Sequence, residues 1–156
     1  MSRRAVAPIP RREALKRGSV LLALAACGLS ASTVAAASEE EAAFNAASLP
    51  DALAALGGKP ATRAEIGLDI PDLVENGAFV PVTVESRLAD TREIFIVVES
   101  NPNPLVARFT IAEGTEPYIA TRIKMAESCN VYAVVRAGGR LYSAFRRTQV
   151  TVGGCG

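Results

Sequence analysis

The sequence predicts an all-β protein, an immunoglobulin-like antiparallel β-sandwich preceded by a short N-terminal helical segment. Three observations carry that expectation. From Phe79 onward the apolar residues recur with a period of two, as in half-buried strands. Turn signals break these runs at intervals of roughly 8–12 residues, the spacing of sandwich strands. A Gly138-Gly139 pair stands between two strand-like runs, which marks a tight hairpin.

The first 37 residues stand apart. They open on a basic stretch through Arg17, continue with an apolar run from Gly18 and close on small residues. That order reads as a secretory signal peptide over 1–37, to be kept out of the fold argument. Ala35-Ala36-Ala37 fits a cleavage site and leaves a chain beginning at Ser38. Arg11-Arg12-Glu13-Ala14-Leu15-Lys16 resembles a twin-arginine export signal, with Ala14 where an aromatic is usual and Pro10 where Ser or Thr is usual. An ordinary secretory signal with a rich basic end is the alternative. Leu24-Ala25-Ala26-Cys27 also fits a lipobox, which would make Cys27 a lipidated N-terminus. The expected location is the periplasm.

Beyond the signal no run of 18 apolar residues occurs, so no membrane span is expected. With 156 residues and 49% hydrophobic composition, the chain suits one globular domain. Residues 1–37 hold six of the 17 Lys/Arg and one of the 16 Asp/Glu; the remainder carries eleven basic and fifteen acidic groups, a net charge of −4. That balance argues against nucleic acid as a partner. The sequence contains no histidine. Ser-His-Asp and Cys-His catalysis, His-ligated zinc and a His general base are thereby excluded.

The elements follow in order. Residues 38–78 read as a helical segment and connector. Glu39, Glu40 and Glu41 suit the positive end of a helix dipole. Ser48-Leu49-Pro50-Asp51 restarts the helix, with Ser48 as cap and Pro50 in the first turn, where its missing N–H costs nothing. Leu49, Leu53 and Leu56 share a face, and Gly57-Gly58 ends the helix. Pro60, Gly67, Pro71 and Gly77 punctuate a connector with short extended pieces.

Residues 79–152 form the sandwich, in about seven strands. "FVPVTVES" puts Val80, Val82 and Val84 on one face. "EIFIVVES" is a denser run, as in a strand covered on both faces, and asks for more burial than a lone small sandwich offers. "NPNP" at 101–104 is a turn. "LVARFTIAE" sets Leu105, Ala107, Phe109 and Ile111 against Val106, Arg108 and Thr110. "YIATRIKMAE" alternates, the hairpin around Gly138-Gly139 follows, and "TQVTV" is the last strand.

Two cysteines remain after the signal. Cys129 reads as a small buried hydrophobe on a strand, with a disulfide partner as the alternative. Cys155 lies among Gly153, Gly154 and Gly156. Glycine roams most of φ/ψ space, so residues 153–156 make a thin, flexible arm carrying one reactive group. A catalytic thiol needs a rigid shell and a base. The pattern therefore suits a thiol delivered to the active sites of other proteins. Arg146-Arg147 is the nearest basic pair, but neighbours on a strand point to opposite faces.

"ENGAFVPVTVES", "NPNPLVARFTI", "TRIKMAE" and the closing "VTVGGCG" together resemble the SoxY family, the sulfur carriers of the periplasmic Sox system of thiosulfate oxidation. The likeness covers residues 75–156 well and the helix and connector loosely. The family's closing Gly-Gly-Cys-Gly-Gly stands here as Gly153-Gly154-Cys155-Gly156. The resemblance implies a carrier, not an enzyme, without cofactor or metal. It implies a SoxZ-like subunit as heterodimer partner. A Sox cytochrome would couple thiosulfate to Cys155, a hydrolase would release sulfate, and in some versions a sulfane dehydrogenase would oxidise the remaining sulfur. The competing reading is an Ig-like interaction module whose Cys155 forms an inter-chain or Cys129–Cys155 disulfide.

N-terminal sequencing of the exported protein is expected to begin at Ser38, and replacing Arg11 and Arg12 by lysine is expected to block export. A lipid-modified Cys27 at the N-terminus would overturn the first expectation, and unaffected export the second.

Overall fold

The computed structural model describes residues 41–152, within the second of the chain's two units, 39–156. A helical turn over 41–44 leads to helix α1 (Leu49–Ala55). Ser48 caps it: its Oγ accepts the Asp51 N–H at 3.3 Å while the hydroxyl donates to Asp51 Oδ2 at 2.6 Å. Pro50 sits in the first turn, and Gly57 and Gly58 end the helix at φ +112° and +109°, a region closed to most side chains. The cap, the proline and the glycine stop lie where the sequence puts them.

Nine strands follow: β1 (Ala61–Thr62), β2 (Ile66–Asp69), β3 (Leu73–Asn76), β4 (Val80–Ser86), β5 (Thr91–Val98), β6 (Leu105–Thr110), β7 (Tyr118–Ile123), β8 (Cys129–Ala137) and β9 (Arg140–Val152). They build two packed sheets. The larger runs β1-β9-β8-β5-β6, with β3 also on β9; the smaller runs β2-β4-β7. The β8–β9 hairpin turns on Gly138 and Gly139, at φ +54° and +72°. Positive φ at both central residues gives the turn whose twist matches the flanking strands.

Between the sheets lies the main core. Val80, Val82 and Val84 of β4 face Ile94, Ile96 and Val98 of β5 and Val131, Ala133 and Val135 of β8, all of them buried. The other face of the larger sheet is buried too. Phe95, Val97, Leu105 and Val134 pack with Ala43 and Leu56, and with the half-buried Phe44, Leu49 and Leu53. The two-sided burial expected of β5 is therefore real. Its second cover is this chain's own helical segment, because the Leu49/Leu53/Leu56 face matches the apolar stripe on β5 and β8. The density of β5 needs no partner subunit to explain it.

Two further departures have local causes. The pieces expected as a connector over 59–78 are strands of both sheets. β1 pairs in parallel with β9 (Ala61↔Tyr142), β2 crosses to pair with β4 (Leu68↔Val84), and β3 returns to β9 (Val74↔Val150). Sheet structure thus begins at Ala61 rather than at Phe79. In β6 the alternation breaks, because the register against β5 shifts between Ile96↔Ala107 and Val97↔Leu105. The extra residue of this bulge turns Leu105 to the helix side, while Ala107, Phe109 and Ile111 keep to the main core.

Glu93 ties the helix to the sheet. Its carboxylate, with only 13% of the side chain exposed, accepts from Arg108 Nε at 2.8 Å and from Arg136 Nε. Arg136 also donates from Nη2 to the Leu56 carbonyl at 2.9 Å, at the C-terminal end of α1, and lies over the Phe95 ring. A cation there meets an otherwise unpaired helix carbonyl. Arg136→Met keeps the aliphatic stem and removes both bonds. It is expected to cost about 1.5–3 kcal/mol, the range for hydrogen bonds involving charged groups, with hydrogen-exchange protection falling first in residues 49–56. Denaturant titration and exchange mass spectrometry check it.

Candidate functional site

The arm residues Gly153, Gly154, Cys155 and Gly156 lie outside the described residues. What the structure describes is their root, the end of β9 at Val152. Both edges of that strand are held. On one side β3 runs parallel to it, with Leu73↔Gln149, Val74↔Val150 and Asn76↔Val152 in register. The Gln149 N–H donates to the Asp72 carbonyl at 2.8 Å, Thr151 Oγ1 to the Glu75 carbonyl at 3.0 Å, and the Gly77 N–H to the Val152 carbonyl at 2.9 Å. On the other side the Val150 N–H donates to Ser128 Oγ at 2.8 Å. The backbone is thus fixed up to the last described residue.

The loops around the root are braced against one another. Met125 N–H donates to the Gly77 carbonyl at 2.8 Å. Asn101 bridges the other side, its Nδ2 donating to the Lys124 carbonyl and its Oδ1 accepting from the Ala126 N–H, each at 2.9 Å. So the "NPNP" turn steadies the loop that carries Ser128. Gly77 is buried in this corner, and Asn76 Oδ1 takes the Ala78 N–H at 2.8 Å to close the turn.

Carboxylates dominate the surroundings. Glu75 and Glu127 are exposed, and Asp72 has Arg146 at 3.8 Å. Glu99 accepts from Asn130 at 2.8 Å, and burial followed by the Glu99 charge raises the Tyr132 phenol above its ordinary pKa. Arg146 and Arg147 do not gather into an anion site: Arg146 reaches Asp72, while Arg147 lies opposite Asn130. Among the described residues no three His, Cys, Asp or Glu come together as a metal could use them. No described helix is long and apolar enough to cross a membrane.

Cys129 is a different kind of cysteine. It is 3% exposed, unbonded, and part of the main core, opposite Thr148 on β9. That is the small buried hydrophobe expected from its place on a strand. A Cys129–Cys155 bridge would require opening this corner. Sequence reasoning missed the residues that hold the root: Asp72, Glu75, Asn76, Gly77 and Ser128. The parallel β3–β9 pairing spans more than 70 residues and leaves no local signature; a Ser at 128 looks like any loop serine.

The chain is an all-β sandwich whose last strand is held along both edges up to Val152. Its family is SoxY: the model of sulfur oxidation protein SoxY matches residues 52–155, and the chain belongs to that family. Among solved structures, it is similar to the sulfur carrier protein SoxY from Chlorobium limicola f thiosulfatophilum. The two share 39% identity at a TM-score of 0.61, over 72% of this chain and 98% of that one. A superoxide reductase (neelaredoxin) from Ignicoccus hospitalis matches at 18% identity and TM-score 0.48, over 58% of this chain and 94% of that one. That second likeness carries no functional argument. No curated protein matches the chain.

Thr148 Oγ1 is buried without a hydrogen-bond partner. Thr148→Val keeps the shape and removes the stranded hydroxyl, so it is expected to raise stability by about 1 kcal/mol. In a chain lacking residues 1–37, and so Cys27, Cys129 is expected to react with a thiol reagent only after denaturation. A second thiol titrating rapidly in the native state would contradict its burial.

Proposed function

We propose that the protein is a sulfur carrier of sulfur oxidation in which Cys155 is the covalent attachment point. The observation that carries this reading is the family match, which runs through Gly153-Gly154-Cys155. The anchored root supports it. Cys155 is the third residue after Val152, so the arm can reach at most about 10 Å at roughly 3.3–3.6 Å per residue. Glycine at 153 and 154 leaves it free to follow a narrow channel.

The chemistry divides between this chain and its partners. In the first step the Cys155 thiolate and the outer sulfur of thiosulfate form an S–S bond. The two electrons released go to the partner cytochrome, leaving a cysteine S-thiosulfonate. Water then cleaves the bond between the bridging sulfur and the sulfonate sulfur. Sulfate leaves, and the sulfur retained on Cys155 is a persulfide. On this reading the proton acceptor for each step belongs to the partner enzymes. The same reading places the mature chain in the periplasm, exported by the signal in residues 1–37, and paired with a SoxZ-like subunit.

Intact-mass measurement after incubation with thiosulfate and the partner cytochrome tests the proposal. A thiosulfate adduct on Cys155, absent from Cys155→Ser with the fold unchanged, is the expected result. Gly154→Pro is expected to keep a titratable thiol and slow turnover at least several-fold, because it stiffens the arm without touching the sulfur. Adducts confined to Cys129, or full turnover by Cys155→Ser, would refute the carrier arm.

A further inference from the structure

We infer that Asn76-Gly77 is a self-modification site, an asparagine set to cyclise onto the next backbone nitrogen and held back by the Val152 carbonyl. Of the five asparagines, Asn45, Asn76, Asn101, Asn103 and Asn130, only Asn76 precedes a glycine. Asn101 and Asn103 precede prolines, which offer no N–H. Attack of a backbone nitrogen on the side-chain amide needs a close approach. A side chain on the following residue obstructs it, and glycine leaves it open.

Both reacting groups are already engaged, in opposite senses. Asn76 Oδ1 accepts the Ala78 N–H at 2.8 Å, which draws electron density from the amide carbon and makes it the better electrophile. The nucleophile is masked. The Gly77 N–H donates to the Val152 carbonyl at 2.9 Å, and Gly77 is buried. A base does not take that proton while the bond stands. The Gly77 carbonyl is held as well, by the Met125 N–H at 2.8 Å, so the residue is gripped from both sides. Asn76 itself is exposed, and water has access to it. Asn76↔Val152 is the last pair of the β3–β9 ladder, and the Gly77–Val152 bond lies at its end. Ladders open from their ends, so this bond gives way before the core strands do.

Once it opens, the steps balance with water and hydroxide alone. Hydroxide removes the Gly77 amide proton, the nitrogen bonds to Asn76 Cγ, and the side-chain nitrogen leaves as ammonia. Water then opens the cyclic imide at one of its two carbonyls. One opening gives aspartate at 76, whose carboxylate still accepts from the Ala78 N–H. The other gives isoaspartate, with one extra methylene in the main chain between 76 and 77. That insertion carries Gly77 out of register with Val152, and the corner that holds the end of β9 no longer closes as before. Either product adds a negative charge next to Glu75. The reaction is irreversible, and its rate reports how often the end of β9 lets go.

Peptide mapping by mass of the purified protein, with isoaspartate quantified at residue 76, tests it alongside hydrogen exchange of the Gly77 amide by NMR. Exchange and cyclisation remove the same proton, so they respond together. In mildly alkaline buffer Asn76 is expected to be modified before any other asparagine. The folded chain is expected to react at least about tenfold more slowly than the chain in urea, since the N–H must first open. Thr151→Val removes the hydroxyl that donates to the Glu75 carbonyl, and Ser128→Ala removes the acceptor of the Val150 N–H. Each is expected to speed both Gly77 exchange and Asn76 modification about two- to tenfold, the effect of one lost hydrogen bond. Two variants on opposite edges of β9 keep the test open should one fold poorly. Equal rates in the folded and unfolded chain, modification falling first on another asparagine, or faster Gly77 exchange without faster modification would overturn the inference. Adduct formation at Cys155 is read separately by mass, so either result stands without the other.

Discussion

The register of β9 is the constraint on which the rest of this structure depends. A two-residue turn at Gly138-Gly139 sets nine consecutive cross-strand pairs with β8, from Ala137↔Arg140 to Cys129↔Thr148. Side chains alternate with a period of two, so a slip of one residue would exchange the inner and outer faces of β9 throughout. Tyr142 and Ala144 would leave the main core, and Leu141 would leave the helix. The same strand takes β1 and β3 along its other edge. The turn therefore fixes where the chain emerges at Val152 as well as what the strand buries.

Much of this was legible in the sequence where the signal is local. The glycine pair, the Ser48-Pro50 helix start and the Val80/Val82/Val84 alternation each depend on a few neighbouring residues, and each lies where it was read. The segment 59–78 was not legible as part of the sandwich. Its strands hold two to four residues, too few for alternation to show, and two of them pair in parallel with a strand far along the chain. β5 was read correctly as covered twice, but nothing in "EIFIVVES" says whose residues do the covering. That answer depends on the docking of α1, and so on Glu93 and Arg136, which pair across 43 positions of the chain and leave no local pattern. For the candidate site the sequence supplied Cys155 and its glycines. Its support at Asp72, Glu75, Gly77 and Ser128 depends on tertiary contacts without a sequence pattern.

Two cysteines in one chain show how environment assigns a role. Cys129 sits in a packed corner at 3% exposure, beside a threonine whose hydroxyl is itself unsatisfied. A thiol there contributes apolar area and little else. Cys155 belongs to a glycine-flanked segment that follows Val152, the last described residue. Burial silences the first thiol. For the second, the sequence supplies a glycine on either side, which on the carrier reading leaves the thiol free to enter a partner's active site.

On the carrier reading, the same root limits the partners. An arm of about 10 Å is short compared with many active-site clefts. Since the chain is held up to Val152 by β3 on one side and Ser128 on the other, none of β9 can peel away to lengthen it without losing those bonds. A partner must therefore bring its reacting atoms within that distance of the surface touching the root, and that surface is the turn Asn76–Phe79 with the loop Lys124–Ser128. Phe79, exposed beside the buried Gly77, and the exposed Val152 are apolar groups at this end that such a surface meets. Anchoring and reach are thus one property. The rigid root makes the arm's end a small, defined volume, so that several enzymes of different chemistry can each be shaped to receive the same cysteine.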